Sequence, residues 1–276
     1  DGFLVAVQQL NCKLEYVDTN TIPTDGSSFN MLPKETAAGA RIRPEMLSLK
    51  AKSIAKAREF FISQIISLKK NKTNVQVIQQ NSLLKYSALY HFLQKDAPSI
   101  ADEIKALYEN IMSRIVLNVF KNYYTQLLKL DMIVAGKTDL LVIEEATLKS
   151  VFTQKISFNK DKATVSSDTF ALGERATILE ANKLDSEPIL LHVALAENQK
   201  FPYETIMRSV LKHLVDAASS EFLFILEFFQ SPNVPTTFDA IFGKSLSTLL
   251  ENMENYLLSS YDSIGLLILV KVQYSL

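Results

Sequence analysis

From Phe201 to Leu276 the chain repeats its apolar residues at the period of an α-helix, and this repetition constrains the fold more than any other feature. Met207, Val210, Leu211, Leu214, Ala218, Phe222, Ile225 and Phe229 recur every three to four residues, which sets them along one helical face. Leu246, Leu249, Met253, Tyr256 or Leu257, Ser260, Ile264 and Leu267 repeat the pattern and predict a second long helix. The aromatic stripe Phe222, Phe224, Phe228 and Phe229 is too wide for one face, so several of these rings are expected to bury against the last helix. The same stretch holds no nucleophile beside a base, no ligand cluster and no phosphate loop. A chain that devotes so much sequence to helical surface and so little to reactive groups is expected to act by touching other proteins.

The upstream sequence follows the same logic. Phe3, Val7, Leu10, Leu14 and Val17 form a heptad seam, read as the end of a coiled-coil helix over residues 1–18 that continued upstream. Residues 19–40, with Pro23, Asp25-Gly26, Pro33 and Gly39, read as a linker. A long helix is predicted over Arg41 to Leu68, with Pro44 in its first turn and Met46, Leu49, Ile54, Ala57, Phe61 and Ile65 turned to a core. Asn81 is placed to cap a third helix through Gln94, with Leu84, Ala88, Leu89 and Phe92 inward. A fourth helix, Ser99 to Val134, carries Ile104, Leu107, Ile111, Ile115, Val119, Tyr123 and Leu127, and a short helix follows within Asp139 to Phe152.

Residues 153–200 are the least periodic and connect an N-terminal bundle (41–152) to a C-terminal one (201–276) that continues past Leu276; a short strand is predicted at Ile189 to Ala194. Seven glycines in 276 residues are well under half the usual ~7%, which favours helices joined by short connections. The fold class expected is therefore all-α, built as elongated helical bundles in which long helices packed side by side make a stiff rod.

The candidate chemistry is thin. Gly136-Lys137-Thr138 and Gly243-Lys244-Ser245 resemble the end of a phosphate loop, but the glycine needed five positions earlier is replaced by Asp131 and Phe238. His91, His192 and His213 lie far apart, and with one cysteine they make no metal-ligand spacing. His213 and Asp216 are placed to share a helical face. The lone Cys12 cannot form an internal disulfide, fits a reducing compartment, and is expected to be a small buried apolar residue. The longest apolar run, Ile264 to Val270, has seven residues against the ~18 to 20 of a membrane span, so membrane contact would be peripheral. No catalytic residue, cofactor or metal is assigned.

Charge is more informative than its near-zero sum. Between Arg41 and Lys72 nine basic residues face Glu45 and Glu59, a net of +7. Between Glu204 and Asp262 eight acidic residues face Arg208, Lys212 and Lys244, a net of −5. The basic helix suits an acidic partner or anionic lipid, and Lys50, Lys52, Lys56 and Arg58 are its candidate interaction surface. Nucleic acid is disfavoured, because aromatics are not interleaved with the basic positions.

Four strings, in order and at consistent spacing, carry a resemblance: PEMLSLKAKSIAKAREFF at Pro44 to Phe61, NSLLKYSALYHFL at Asn81 to Leu93, FALGER at Phe170 to Arg175, and the whole of Phe201 to Ile264. Together they resemble the vacuolar protein sorting family numbered fifty-two, a component of the Golgi-associated retrograde protein (GARP) tethering complex. The family favours a tyrosine where Phe201 precedes Pro202, and residues 159–169 are variable. The resemblance implies a non-enzymatic subunit of the exocyst-like helical-rod class. It would hold endosome-derived carriers at the trans-Golgi network and support SNARE-driven fusion, peripherally on the cytosolic face. SNAREs, Rab-type small GTPases and the other subunits of the complex would be its partners. The alternative is a helical scaffold that recruits a small GTPase or coat without tethering.

Overall fold

A computed structural model describes residues 2–23, 30–70, 73–136, 172–230 and 233–275. The expected short helix within Asp139 to Phe152 and the variable segment 159–169 lie outside the described residues. The all-α expectation holds. The helices are α1 (Gly2–Thr19), α2 (Ala37–Ser67), α3 (Val75–Ile78), α4 (Ser87–Asp96), α5 (Pro98–Leu128), α6 (Ala181–Leu184), α7 (Leu191–Ala196), α8 (Tyr203–Phe229), α9 (Val234–Ser259) and α10 (Ser263–Ser275). Among the described residues the one sheet is an antiparallel pair, β1 (Ile22–Pro23) with β2 (Asn30–Met31).

Two compact units form: Asp1–Met112 with Phe222–Phe238, and Ser113–Glu221 with Asp239–Leu276. In the first, α1 packs on α2 through Val7 and Leu14, the two buried residues of the heptad seam. Its centre is aromatic. Phe228 stacks on Tyr90 at 4.8 Å, Phe61 meets both edge-on at 5.9 Å, and Tyr108 contacts Phe224 and Phe229 at 5.3 and 5.5 Å. Phe222, expected inside, is 42% exposed, with its ring edge-on to that of Phe238. The buried rings of the stripe pack on α2, α4 and α5 rather than on the last helix.

Several boundaries differ from the sequence expectation. Helix α2 begins four residues early because Thr36 caps it, its hydroxyl accepting from the Gly39 N–H at 3.0 Å. Glycine is required at 39, since a Cβ there would collide with the Pro33 carbonyl. Pro33 and Gly39 thus mark a cap, and Pro44 sits well inside the helix at an exposed position, where water can reach the Ala40 carbonyl that it leaves without an N–H. Leu49, expected inward, is 53% exposed, while Met46, Ala57, Phe61 and Ile65 are buried.

The third helix starts at Asn74, not Asn81, and passes through a π-turn at Gln79–Leu83 before α4. That turn shifts part of the inward face: Leu89 is buried as expected, but Leu83, Tyr90 and Leu93 are buried in place of Leu84, Ala88 and Phe92. Buried Gln79 occupies the turn and donates to the Tyr108 hydroxyl at 2.7 Å. On α5, Ile104, Ile111 and Leu127 are buried as expected, Tyr108, Val116, Phe120 and Tyr124 are buried beside them, and Val119 is exposed. Cys12 is exposed rather than buried.

In the second unit α5 ends at Leu128 because the backbone leaves it to pair with Phe201, whose N–H donates to Leu130 and whose carbonyl accepts from Met132, both at 2.9 Å. The strand expected at Ile189 to Ala194 is replaced by α7; Ile189 precedes it, donating its N–H to Ser209 Oγ (2.7 Å) and accepting from the Tyr123 hydroxyl (3.0 Å). The final long helix breaks at 260–262. Asp262 Oδ1 accepts from the Gly265 N–H at 2.9 Å and starts α10 afresh.

Candidate interaction surfaces

The basic face of α2 divides by partner. Lys50 pairs with Asp96 on α4, and Asn11 Nδ2 of α1 donates to the same carboxylate at 2.7 Å. Arg58 makes a forked contact with Glu103 of α5, Nε to Oε2 at 2.8 Å with a second guanidinium nitrogen on Oε1. The Arg58 hydrogen bond holds the Glu103 carboxyl below its ordinary range. Arg43 does the same for Asp18 of α1. Lys52 and Lys56 are exposed and carry no ion pair among the described residues. Of the four residues expected to form a docking surface, two are struts within the first unit and two remain open to a partner.

Glu204 and Asp216 of α8, and Asp262 just before α10, are similarly engaged. Arg175 sits in the 3-10 turn Gly173–Leu179, with Nε on Glu204 Oε1 at 2.6 Å and the other guanidinium nitrogens on both oxygens of Asp262. Burial works against the Arg175 charge, but the bonds from Glu204 and Asp262 outweigh it and push its pKa above the ordinary value. One side chain thus ties the turn to the first turn of α8 and to the start of α10. Gly265 lies against this cluster, where a Cβ would collide with both Asp262 and Arg175. Asp216 takes the Lys212 ammonium at 3.1 Å, and Lys212 also bonds Asp185 at 2.9 Å. The charge that sums to −5 in the sequence is partly neutralised inside the unit.

Among the described residues no hydrogen bond or ion pair joins His213 to Asp216, although the Asp216 charge works against burial at the ring. The His213 ring lies against Phe120 at 5.0 Å and Tyr123 at 5.1 Å, and burial lowers its pKa. No group of three His, Cys, Asp or Glu fit to hold a metal occurs among the described residues. Gly243-Lys244-Ser245 lies within α9, so its backbone N–H groups are committed to the helix and cannot wrap a phosphate. Lys137 and Thr138 of the other fragment lie outside the described residues. No described helix is long and apolar enough to cross a membrane.

Two polar sites have no signal in the sequence. Asp131 packs where chain segments 129–132 and 200–201 pair; burial raises its pKa, and its Oδ1 has no hydrogen-bond partner among the described residues. Tyr203 stacks flat on Tyr256 at 3.3 Å while its hydroxyl meets that of Tyr124 at 3.1 Å. Burial pushes the Tyr256 phenol up to about 12. The partners in each case are distant in the chain, and no local pattern announces them.

Comparison with known proteins adds a second line. The family model described as "Vps52, C-terminal" matches residues 110–276, and the model "Vps52/Sac2 family, coiled-coil" matches residues 6–93. The chain is 33% identical over 240 residues to the vacuolar protein sorting-associated protein 52 homolog of Mus musculus, covering 86% of this chain and 32% of that protein. It is 29% identical over 272 residues to vacuolar protein sorting-associated protein 52 A of Arabidopsis thaliana, covering 99% of this chain and 36% of that one. The Schizosaccharomyces pombe protein 52 is 25% identical over 224 residues, 79% of this chain and 42% of that one. The chain therefore spans about a third of the length of the first of these relatives. No solved structure matches.

Proposed function

The chain belongs to the Vps52 family, and from that premise we propose that it is a non-catalytic subunit of a vesicle-tethering complex in retrograde transport from endosomes to the trans-Golgi network. The observation that carries the proposal is the pair of family matches, coiled-coil then C-terminal, in order along nearly the whole chain. In this role the chain works through helical surfaces. It binds the other subunits of the complex, and the complex engages SNAREs and Rab-type small GTPases on the cytosolic face of the trans-Golgi network and endosomes. Lys52 and Lys56, exposed and without an ion pair among the described residues, supply a positively charged docking surface on α2 for an acidic partner or, peripherally, an anionic membrane. Electrostatic docking of this kind raises association rates and weakens with salt.

Native purification of the tagged full-length protein tests the proposal. Stoichiometric recovery of other tethering subunits supports it; a chain recovered alone, or with a coat and no tethering subunit, favours the scaffold alternative.

A further inference from the structure

A groove opens on the first unit where α1, α2 and the approach to α4 meet. Phe3 and Leu4 form one wall, Phe60 and Tyr86 the other, and Lys56 and Lys85 stand at the rim. Its volume is about 370 Å³, near the lower end of ligand pockets. The Phe60 and Tyr86 rings meet edge-to-face at 5.1 Å and hold the wall in shape. Phe3 is 47% exposed there, a large apolar ring open to solvent.

The rim carries one sign of charge. Among the described residues, no acidic residue lines the groove. Lys56 has no ion pair among the described residues, and the Lys85 ammonium lies 5.6 Å from the centre of the Tyr86 ring with no carboxylate on it. A concave apolar floor between two unneutralised ammonium groups selects its occupant by charge complementarity. Apolar side chains fill the floor, and carboxylates flanking them meet the lysines. A helix presents such anchors at i, i+3 and i+4 with acidic residues beside them.

We propose that this groove is the docking site for a short amphipathic helix of a partner protein, with apolar anchors flanked by Asp or Glu. The concave shape and edge-on rings fit a row of side chains and not the flat surface of a bilayer. The inference rests on the proposal that the chain acts by binding other proteins, and it names the chemistry of one partner.

The test is a displayed library of random helical peptides selected on the full chain and, in parallel, on a Lys56→Glu/Lys85→Glu variant whose melting curve matches wild type. Selection on wild type should return apolar anchors flanked by Asp or Glu. The charge-reversed variant should bind those peptides at least about tenfold more weakly, and Phe3→Ser should weaken them as well. Peptides without acidic bias, the same peptides from both proteins, or none at all would overturn the proposal. So would flotation of the chain with phosphatidylserine vesicles that depends on Lys56 and Lys85 and is not competed by the selected peptides, since the groove would then serve a membrane. Lys52→Glu, outside the groove, separates the two claims. If it strips other subunits from the purified protein while the groove variants do nothing to peptide binding, the groove fails and the tethering role stands.

Discussion

Arg58 and Glu103 face each other across α2 and α5 in a forked contact, so a residue that charge patterning marks as surface is a strut between helices. Both side chains are over 40% exposed, which places the pair among screened surface contacts of small value. Glu103 titrates below its ordinary range in the folded chain. The pair's contribution is therefore fully present above the unfolded value of 4.5 and is lost as pH falls through the folded one. Glu103→Gln should lower the melting temperature slightly at neutral pH and leave it equal to wild type in acid. An effect that persists in acid would assign it to packing instead.

Arg175 is a different case, because its partners are buried. Removing it leaves Glu204 and Asp262 charged at side-chain exposures of 2% and 11%. Arg175→Met should cost about 3 to 5 kcal/mol in chemical denaturation, the range for breaking a buried pair on one side. A loss under 1 kcal/mol would mean that water reaches the two carboxylates freely.

The aromatic stripe of α8 splits in the same way. Phe228 is fully buried against Tyr90, and Phe228→Ala should destabilise by about 3 to 5 kcal/mol. Phe222→Ala should fall well short of that, because 42% of the residue is already in water. Equal losses from the two would contradict the assignment of the buried face.

His213 sets a pH dependence of its own. Burial lowers its pKa beneath the unfolded 6.5, so the unfolded chain binds the proton first and stability falls as pH drops below that value. Replacing it with phenylalanine, between the Phe120 and Tyr123 rings, should flatten the stability profile from pH 7 to pH 5. An unchanged slope would place the titrating group elsewhere.

How much of this was legible depends on the distance over which each feature is decided. Val7, Leu14, Met207, Val210 and Phe229 were readable, since a helix facing a core repeats its apolar residues locally. The π-turn at Gln79–Leu83 was not, because the Tyr108 hydroxyl to which its Gln79 donates lies 29 residues away in the chain. Phe222 belongs to the apolar period of α8, yet it is left 42% exposed, and periodicity does not record what packs opposite. The basic face shows the same limit. Lys50, Lys52, Lys56 and Arg58 are alike in sequence, and only the placement of Asp96 and Glu103 separates the two that are paired from the two that are open.

The central claim is that this chain serves a tether, and a vesicle-clustering assay tests it most directly. Fluorescent endosome-derived carriers are mixed with Golgi membranes and the purified complex, with the chain present or depleted, and clusters are counted by microscopy. The account predicts that clustering collapses without the chain, returns when wild-type chain is added back, and returns only partly with Lys52→Glu/Lys56→Glu. Clustering that proceeds undiminished in the depleted complex would contradict it.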